Sequence, residues 1–598
     1  MTSLHWFIYV LLIQCIYQPL FSQILPAERV VDWTIAGLKD TSTVDFITID
    51  MSAFPISTDG SAPIDAIVSE VLNSVPQSGA ILEFPDGSFL FNQSIQLKNN
   101  TIIRGQGAGN TVFFSQLNGL GHSIIVQGYS NSFDTTFLTE TGFKDSNFIY
   151  IENYSLFSVG DWIQIIQNDT DFVTSAWALH TVGQIVQISA IEDNKCYLYS
   201  PLRMTFVIDR NPFIRKIQAV SNVGIQCLKI LRLDNTAPNQ SSNIFFQYAV
   251  NCWVDGVESE NCTFSHIEAQ NCSNLSITQS YFHHGFDYGE GGRAYGVLLH
   301  ATTNECLIEN NIFEHLRHSM ILQSGANGNV FSFNYSTDPF WTTSSPQIPS
   351  NSSGDIVLHG NYPYANLFEQ NICQNIVIDN SHGPNGPFNT LFRNLSKGFG
   401  IFFSSTNSPY QNIIGNDIPN TSFPYAIVNY YIQGEHHFLF GNNNKGSIHP
   451  EGTNILTDIS YAYSEKPLFV PITQWSAIGT PNEMGIASIP SRDRFISNEL
   501  FNGICNNITT SLVKAQTLLQ SIQVYPNPFE NELYIDFKDD IQYATLIHIA
   551  SGLQLNIPIQ KGQIRLSTYH FPHGMYILQC ETRVGNYIRE RIIKIKPL

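Results

Sequence analysis

Charge is scarce in this chain. Asp, Glu, Lys and Arg make up 13% of its 598 residues, and the 29 basic ones are outnumbered by 49 acidic ones, for a formal net charge of −20. A long helical protein would be richer in Glu, Lys, Arg and Ala. A nucleic-acid partner is not expected, because phosphate binding rests on Lys and Arg. The ten cysteines include no Cys-x-x-Cys pair and no zinc-like Cys/His spacing. No Gly-x-Ser-x-Gly element supports a serine hydrolase. Beyond the N-terminus no run reaches the ~18 apolar residues of a transmembrane helix. What is abundant is Asn, Ser, Thr and Gly around a 43% hydrophobic content, a texture that suits a β-rich extracellular protein.

The start of the chain reads as a secretory leader. His5 to Ile13 is a short apolar core, and Tyr17-Gln18-Pro19-Leu20-Phe21-Ser22-Gln23 is a polar exit with cleavage near Ser22 or Gln23. Gln14 is not the small residue that a lipoprotein site at Cys15 wants. Nine cysteines remain, an odd number, so at least one is unpaired in a monomer. Cys252, Cys272, Cys306 and Cys373 read as small buried apolar residues, with one or two disulfides as the rival reading.

Residues 59–109 carry the most specific local pattern. Ile64, Ile67, Val68, Val71 and Leu72 share one helical face, with Ser61 as a cap and Pro63 in the first turn. Gly79-Ala80-Ile81-Leu82-Glu83-Phe84-Pro85-Asp86-Gly87-Ser88-Phe89 follows, and Ile102-Ile103-Arg104-Gly105-Gln106-Gly107 after it. This segment resembles the N-terminus of the pectate-lyase-like β-helix superfamily, with Phe89 where Tyr is usual. The resemblance implies a helix capping the open end of a solenoid, where bare strand edges need cover. Residues 150–215 interrupt the pattern with alternating runs, Val159 to Ile165 and Gly183 to Ile188, and read as a small β insertion.

From about residue 222 a repeat is plain. Asn311, Asn334, Asn371, Asn394, Asn416 and Asn442 each follow an apolar stretch, at intervals of 23, 37, 23, 22 and 26. A unit of 22–23 residues fits three short strands and three turns per coil. Asn suits such a turn because it tolerates left-handed backbone and because stacked amides can bond between coils. A second series ends apolar runs with a polar residue: Leu299-His300, Leu322-Gln323, Leu358-His359, Ile378-Asp379 and Phe403-Ser404. With the coils in register these five form a ridge along one edge.

The densest polar constellation starts at His283-His284 and passes through a Gly-rich stretch with Asp287, Glu290 and Arg293 to Tyr295. One coil on it is answered by Glu314-His315-Leu316-Arg317-His318. Counting back from the ridge puts His318 beside Tyr295 and Arg317 near Ala294. The expected substrate-binding set is Arg293, Gln323, His359, Asp379, His382 and Trp341, with Tyr362 beside Trp341 as a wall for sugars. Elimination from a uronic acid needs a cation for the carboxylate, a base for the C5 proton and an acid for the leaving oxygen. Arg317 or Arg293, His318 or His300, and Tyr295 fill these roles. Arg317-His318 at the start of a coil strand is similar to alginate- and chondroitin-lyase β-helices, which also use a Lys that has no counterpart here. A hydrolase would need paired carboxylates, for which Asp287, Glu290, Glu309 and Asp379 are candidates. A non-catalytic adhesin is the third reading. No cofactor is expected, and calcium is not, since only Asp355 and Asp379 lie nearby.

The last residues differ in texture. Val524-Tyr525-Pro526-Asn527-Pro528-Phe529, Gly574-Met575-Tyr576-Ile577-Leu578 and a basic final strand resemble the type A sorting domain of the type IX secretion system, a Bacteroidetes feature. The resemblance implies transport across an outer membrane by that machinery. The expected architecture is all-β: leader 1–23, right-handed parallel β-helix 24–510, and a sandwich-like sorting domain 520–598. The expected function is that of a monomeric, secreted polysaccharide-degrading enzyme, a lyase on an acidic glycan before a hydrolase.

Overall fold

The computed structural model describes residues 23–38, 46–118, 121–234, 240–342, 349–423, 425 and 429–501, Cys505, and the strands with their flanking residues between 522 and 594. The expected leader, Gln23 apart, lies outside the described residues.

The chain winds into a right-handed parallel β-helix with three faces. Face one is a parallel sheet of twelve strands among the described residues, running from Ile47–Asp50 to Phe438–Phe440. Faces two and three join where Ile372–Ile378 and Leu395–Phe403 run unbroken around their shared corner. The parallel register stacks like on like. On face one Ile225, Val254, Ile277, Ile308, Phe331, Phe368, Leu391 and Ile413 occupy one position in successive coils, all buried. Burying such a side chain is worth about 1.5–3 kcal/mol before ordering entropy is subtracted. The capping helix spans Asp65–Ser74 and buries Val68, Val71 and Leu72. It starts later than the sequence suggests: Ser61 and Pro63 belong to a strand, Asp59–Pro63, and no side chain caps the helix.

The Asn series stands at the corner between faces one and two, and each amide is buried. Asn371 Nδ2 donates to Phe331 O and to Asn394 Oδ1, both at 2.9 Å, while its Oδ1 accepts from Asn334 N and Nδ2, both at 3.0 Å. The left-handed residue is not the Asn but the one before it: Asn310, Phe333, Gln370 and Arg393, then Gly415 and Gly441. Amide stacking, not backbone tolerance, is therefore what selects Asn. A second ladder, Asn329, Asn366 and Asn389, crosses the opposite side of face one.

Three additions wrap the solenoid. A six-stranded antiparallel sheet, with strands from Tyr129–Phe137 to Phe213–Gln218, docks on the turns through Arg203, whose Nη1 meets Glu305 Oε1 at 2.7 Å in a buried pair. The N-terminal segment runs along the stack, with Arg29 Nη1 on Asn412 Oδ1 (3.0 Å), Trp33 Nε1 on Ala365 O (2.8 Å) and Gly37 N on Glu305 O (2.8 Å). After the last coil the chain folds back over the corner of faces one and two. There Val470, Ile478 and Ile489 cover Ile312, Tyr335 and Leu395, Arg494 Nη2 reaches Asn310 O (2.8 Å), and Cys505 closes a disulfide with Cys227. Cys252, Cys272, Cys306 and Cys373 are buried free thiols. The C-terminal module is two antiparallel sheets enclosing Leu533, Ile535, Leu546, Leu578 and Ile592.

Candidate active site

Face three carries the ridge. Strand pairing sets Leu299 beside Leu322, Leu322 beside Leu358, Leu358 beside Ile378 and Ile378 beside Phe403. The residues that follow, His300, Gln323, His359, Asp379 and Ser404, therefore stand in line. The row also extends upstream through Gln247 and Gln270, which pairs with His300. Before the ridge, Leu298, Ile321 and Val357 make an apolar floor with Phe264 and Tyr295. At the strand start both Ser319 N and Met320 N donate to Asp355 O, a bulge that breaks the alternation. It lets Tyr295 and His318 pair across the coils with ring centroids 5.1 Å apart.

A cleft of about 560 Å³ lies over this floor. Glu268, His300, Gln323 and His359 line its bottom. One wall is Trp177 with Ser381 and His382; the other is Tyr295, Arg317 and the Gly291-Gly292 loop. His122 and Phe245 close one end, stacked with centroids 4.1 Å apart. Trp177, 54% exposed, comes from the antiparallel sheet, and its loop is held by Asn361 Oδ1, which accepts from Thr174 N at 3.0 Å.

Two imidazoles of the row are backed by carboxylates. His359 Nδ1 lies 2.5 Å from Asp379 Oδ2, and His300 Nε2 lies 3.2 Å from Glu268 Oε1. Burial alone would push the Asp379 carboxyl up; the His359 contact and the Ser381 hydrogen bonds outweigh it and hold the group well below its usual range. Glu268 shows the same balance, burial against His300, Ser242 and Gln270, with a net lowering. His318 is pushed down to about 3, by burial first and then by Arg317 and His359. Its Nδ1 donates to Gly354 O at 2.8 Å, so the neutral ring keeps its lone pair on Nε2. Burial raises the Tyr295 phenol.

The cleft thus brings together Tyr295, His300, Arg317, Gln323, His359 and His382, with Asp379 behind His359 and His318 against Tyr295. Two other expected residues stand apart. Arg293 is paired with Asp287 inside the Gly-rich loop at 2.8 Å and does not line the cleft. Trp341 lies 5.7 Å from the Arg317 guanidinium and backs it instead of facing the cleft. Arg317 in turn spends Nη1 on the carbonyls of Gly289 and Gly291, pinning the loop. Tyr362 stacks on Phe172, 4.4 Å away, under the antiparallel sheet. Glu309 is half-buried on face one against Tyr463, and Asp355 is buried inside the corner, bonded to Ser336 and Asn375. His283 and His284 belong to face two. There Glu258, Glu260 and His283 have metal-ligand spacing among the described residues, but Lys229 Nζ already bridges the two carboxylates at 2.7 and 2.5 Å.

Glu268, His122, Phe245 and Trp177 were not foreseen. In Ile267-Glu268-Ala269-Gln270 it is Gln270 that continues the ridge one coil upstream; Glu268 stands two residues before it, in register with Leu298.

Residues 523–594 match the secretion system C-terminal sorting domain. The chain is thus exported by the type IX route to the cell surface or the medium. Among the described residues no helix is long and apolar enough to cross a membrane. No curated protein matches the sequence. The solved structures it resembles include the tailspike protein gp49 of Pseudomonas phage LKA1, at 13% identity and TM-score 0.46 over 66% of this chain and 75% of that one. Another is the Azotobacter vinelandii mannuronan C-5 epimerase AlgE6 A-module, at 13% identity and TM-score 0.31 over 68% and 99%. A third is an iota-carrageenase complexed to iota-carrageenan fragments, at 10% identity and TM-score 0.30 over 58% and 59%.

Proposed function

We propose that this protein is a polysaccharide lyase that cleaves an extracellular, uronic-acid-containing glycan by β-elimination. The observation that carries the reading is His359 at the bottom of the cleft, its Nδ1 2.5 Å from Asp379 Oδ2, with the Arg317 cation on one wall above it. A carboxylate on one ring nitrogen orients an imidazole and stabilises its charged form, which makes the other nitrogen a competent base. Arg317, with Gln323 on the floor, is the partner for the sugar carboxylate, whose neutralisation acidifies the C5 proton. The shape agrees. From Phe245 to Ser381 the cleft crosses five strand spacings, roughly 24 Å, which suits a polymer lying across the coils.

Hydrolysis fits less well. The carboxylates at the cleft, Glu268 and Asp379, are each taken up by an imidazole and by further hydrogen bonds, Glu268 by His300, Ser242 and Gln270 and Asp379 by His359 and Ser381, where an inverting pair must leave both carboxyl groups facing the substrate. The test is ultraviolet absorbance during incubation with pectate, alginate, ulvan and glycosaminoglycans. Unsaturated uronide ends that disappear in His359→Ala support the reading. New reducing ends without that absorbance favour hydrolysis, and binding without either favours an adhesin.

A further inference from the structure

An elimination also needs a proton for the departing oxygen, and His359 cannot give one while it takes the C5 proton. The row offers a second carboxylate-backed imidazole. His300 and His359 stand on either side of Gln323, two strand spacings apart, roughly 9–10 Å between backbones. Glu268 is 4% exposed and cannot swing away. Its Oε2 accepts from Ser242 Oγ at 2.7 Å, and its Oε1 accepts from Gln270 Nε2 at 2.6 Å. A carboxylate fixed in this way favours the charged form of the ring it touches. Resting on the elimination reading, we infer that His300 is the general acid of the cleft and that Glu268 is the residue that positions it. Tyr295, the acid expected from sequence, is 4% exposed, and its buried phenol holds its proton more tightly than usual.

The step balances. His359 Nε2 takes the proton from C5, and the C–H electron pair becomes the C4=C5 double bond. The C4–O4 bond breaks, its pair stays on O4, and O4 takes the proton from His300 Nδ1, the nitrogen not held by Glu268. The products are a 4,5-unsaturated uronide and a chain with a new hydroxyl end. His359 then loses a proton to water and His300 regains one.

The experiment compares the glycan panel with synthetic uronides of the same sugars that carry 4-nitrophenolate at C4, a group that leaves without a proton. His300→Ala should lose roughly 10²–10⁴-fold on polymer and stay within about tenfold of wild type on the activated uronide. His359→Ala should fail on both. Glu268→Gln should move the alkaline limb of the pH profile to lower pH, since an amide does not stabilise the imidazolium. The charged and titratable groups sharing the cleft with His300 are Glu268, His122, Arg317, His359, His382 and Tyr295, and of these Glu268 alone is changed. Equal loss of His300→Ala on both substrates, or an unmoved alkaline limb in Glu268→Gln, overturns the acid assignment and leaves elimination standing. No unsaturated product from wild type on either substrate overturns both.

Discussion

The protein carries two rows with the same period and opposite chemistry. At the corner of faces one and two, Asn311 to Asn442 donate and accept amide hydrogen bonds from coil to coil and are essentially unexposed. On face three, His300, Gln323, His359 and Asp379 repeat at the same coil interval but form no amide ladder: His359 meets its row neighbour Asp379, His300 is held by Glu268 from outside the row, and the two imidazoles line a cleft. A repeated polar residue is thus not by itself a sign of structure or of function. What separates the two is whether the row is sealed from solvent or opens onto a cleft.

If the open row is the working one, His359→Ala should lower elimination by roughly 10²–10⁴-fold, with the melting temperature close to wild type. A collapse of the melting temperature would put His359 with the ladder instead. The reciprocal change is Asn371→Ala. It strands buried donors on Asn334, so unfolding should cost about 1–3 kcal/mol less in a denaturant titration, while turnover of the folded protein is kept. Loss of turnover without loss of stability would break the division. The smallest effect is expected at His318, which stands between the two classes. Its folded value of about 3 lies below the ordinary ~6.5. As pH falls through that interval the unfolded chain binds a proton that the folded one refuses, so stability declines with acid. His318→Gln should shrink the drop in melting temperature between about pH 7 and about pH 4, read by circular dichroism.

The row was legible because a coil's length fixes its register: once Leu299, Leu322 and Leu358 are core, the next residues align. The Asn ladder was legible for the same reason, although the left-handed position belongs to its neighbour. Glu268 stands off that row, in register with the apolar Leu298, while Gln270 two residues on continues it, so the coil period does not mark Glu268. Trp177 and His122 were beyond reach of periodicity. They arrive from an inserted sheet and from a turn on the far side of a long insertion, and docking of such elements leaves no period in the sequence. Arg293 and Trp341 fail for a related reason. They sit in excursions whose paths are set by local pairs, Asp287 for one and Arg317 for the other.

A plain stack of coils touches only its nearest neighbours and can grow one turn at a time. Here the segment that enters first has its seat on turns made much later: Arg29 rests on Asn412 and His436, Trp33 on Ala365, and Gly37 on Glu305. The tail travels the other way, to be fastened at Cys227. Assembly therefore cannot proceed in the order of synthesis. Residues 24–37 have no place to go until residues 305–436 exist, so this early segment is among the last parts to settle.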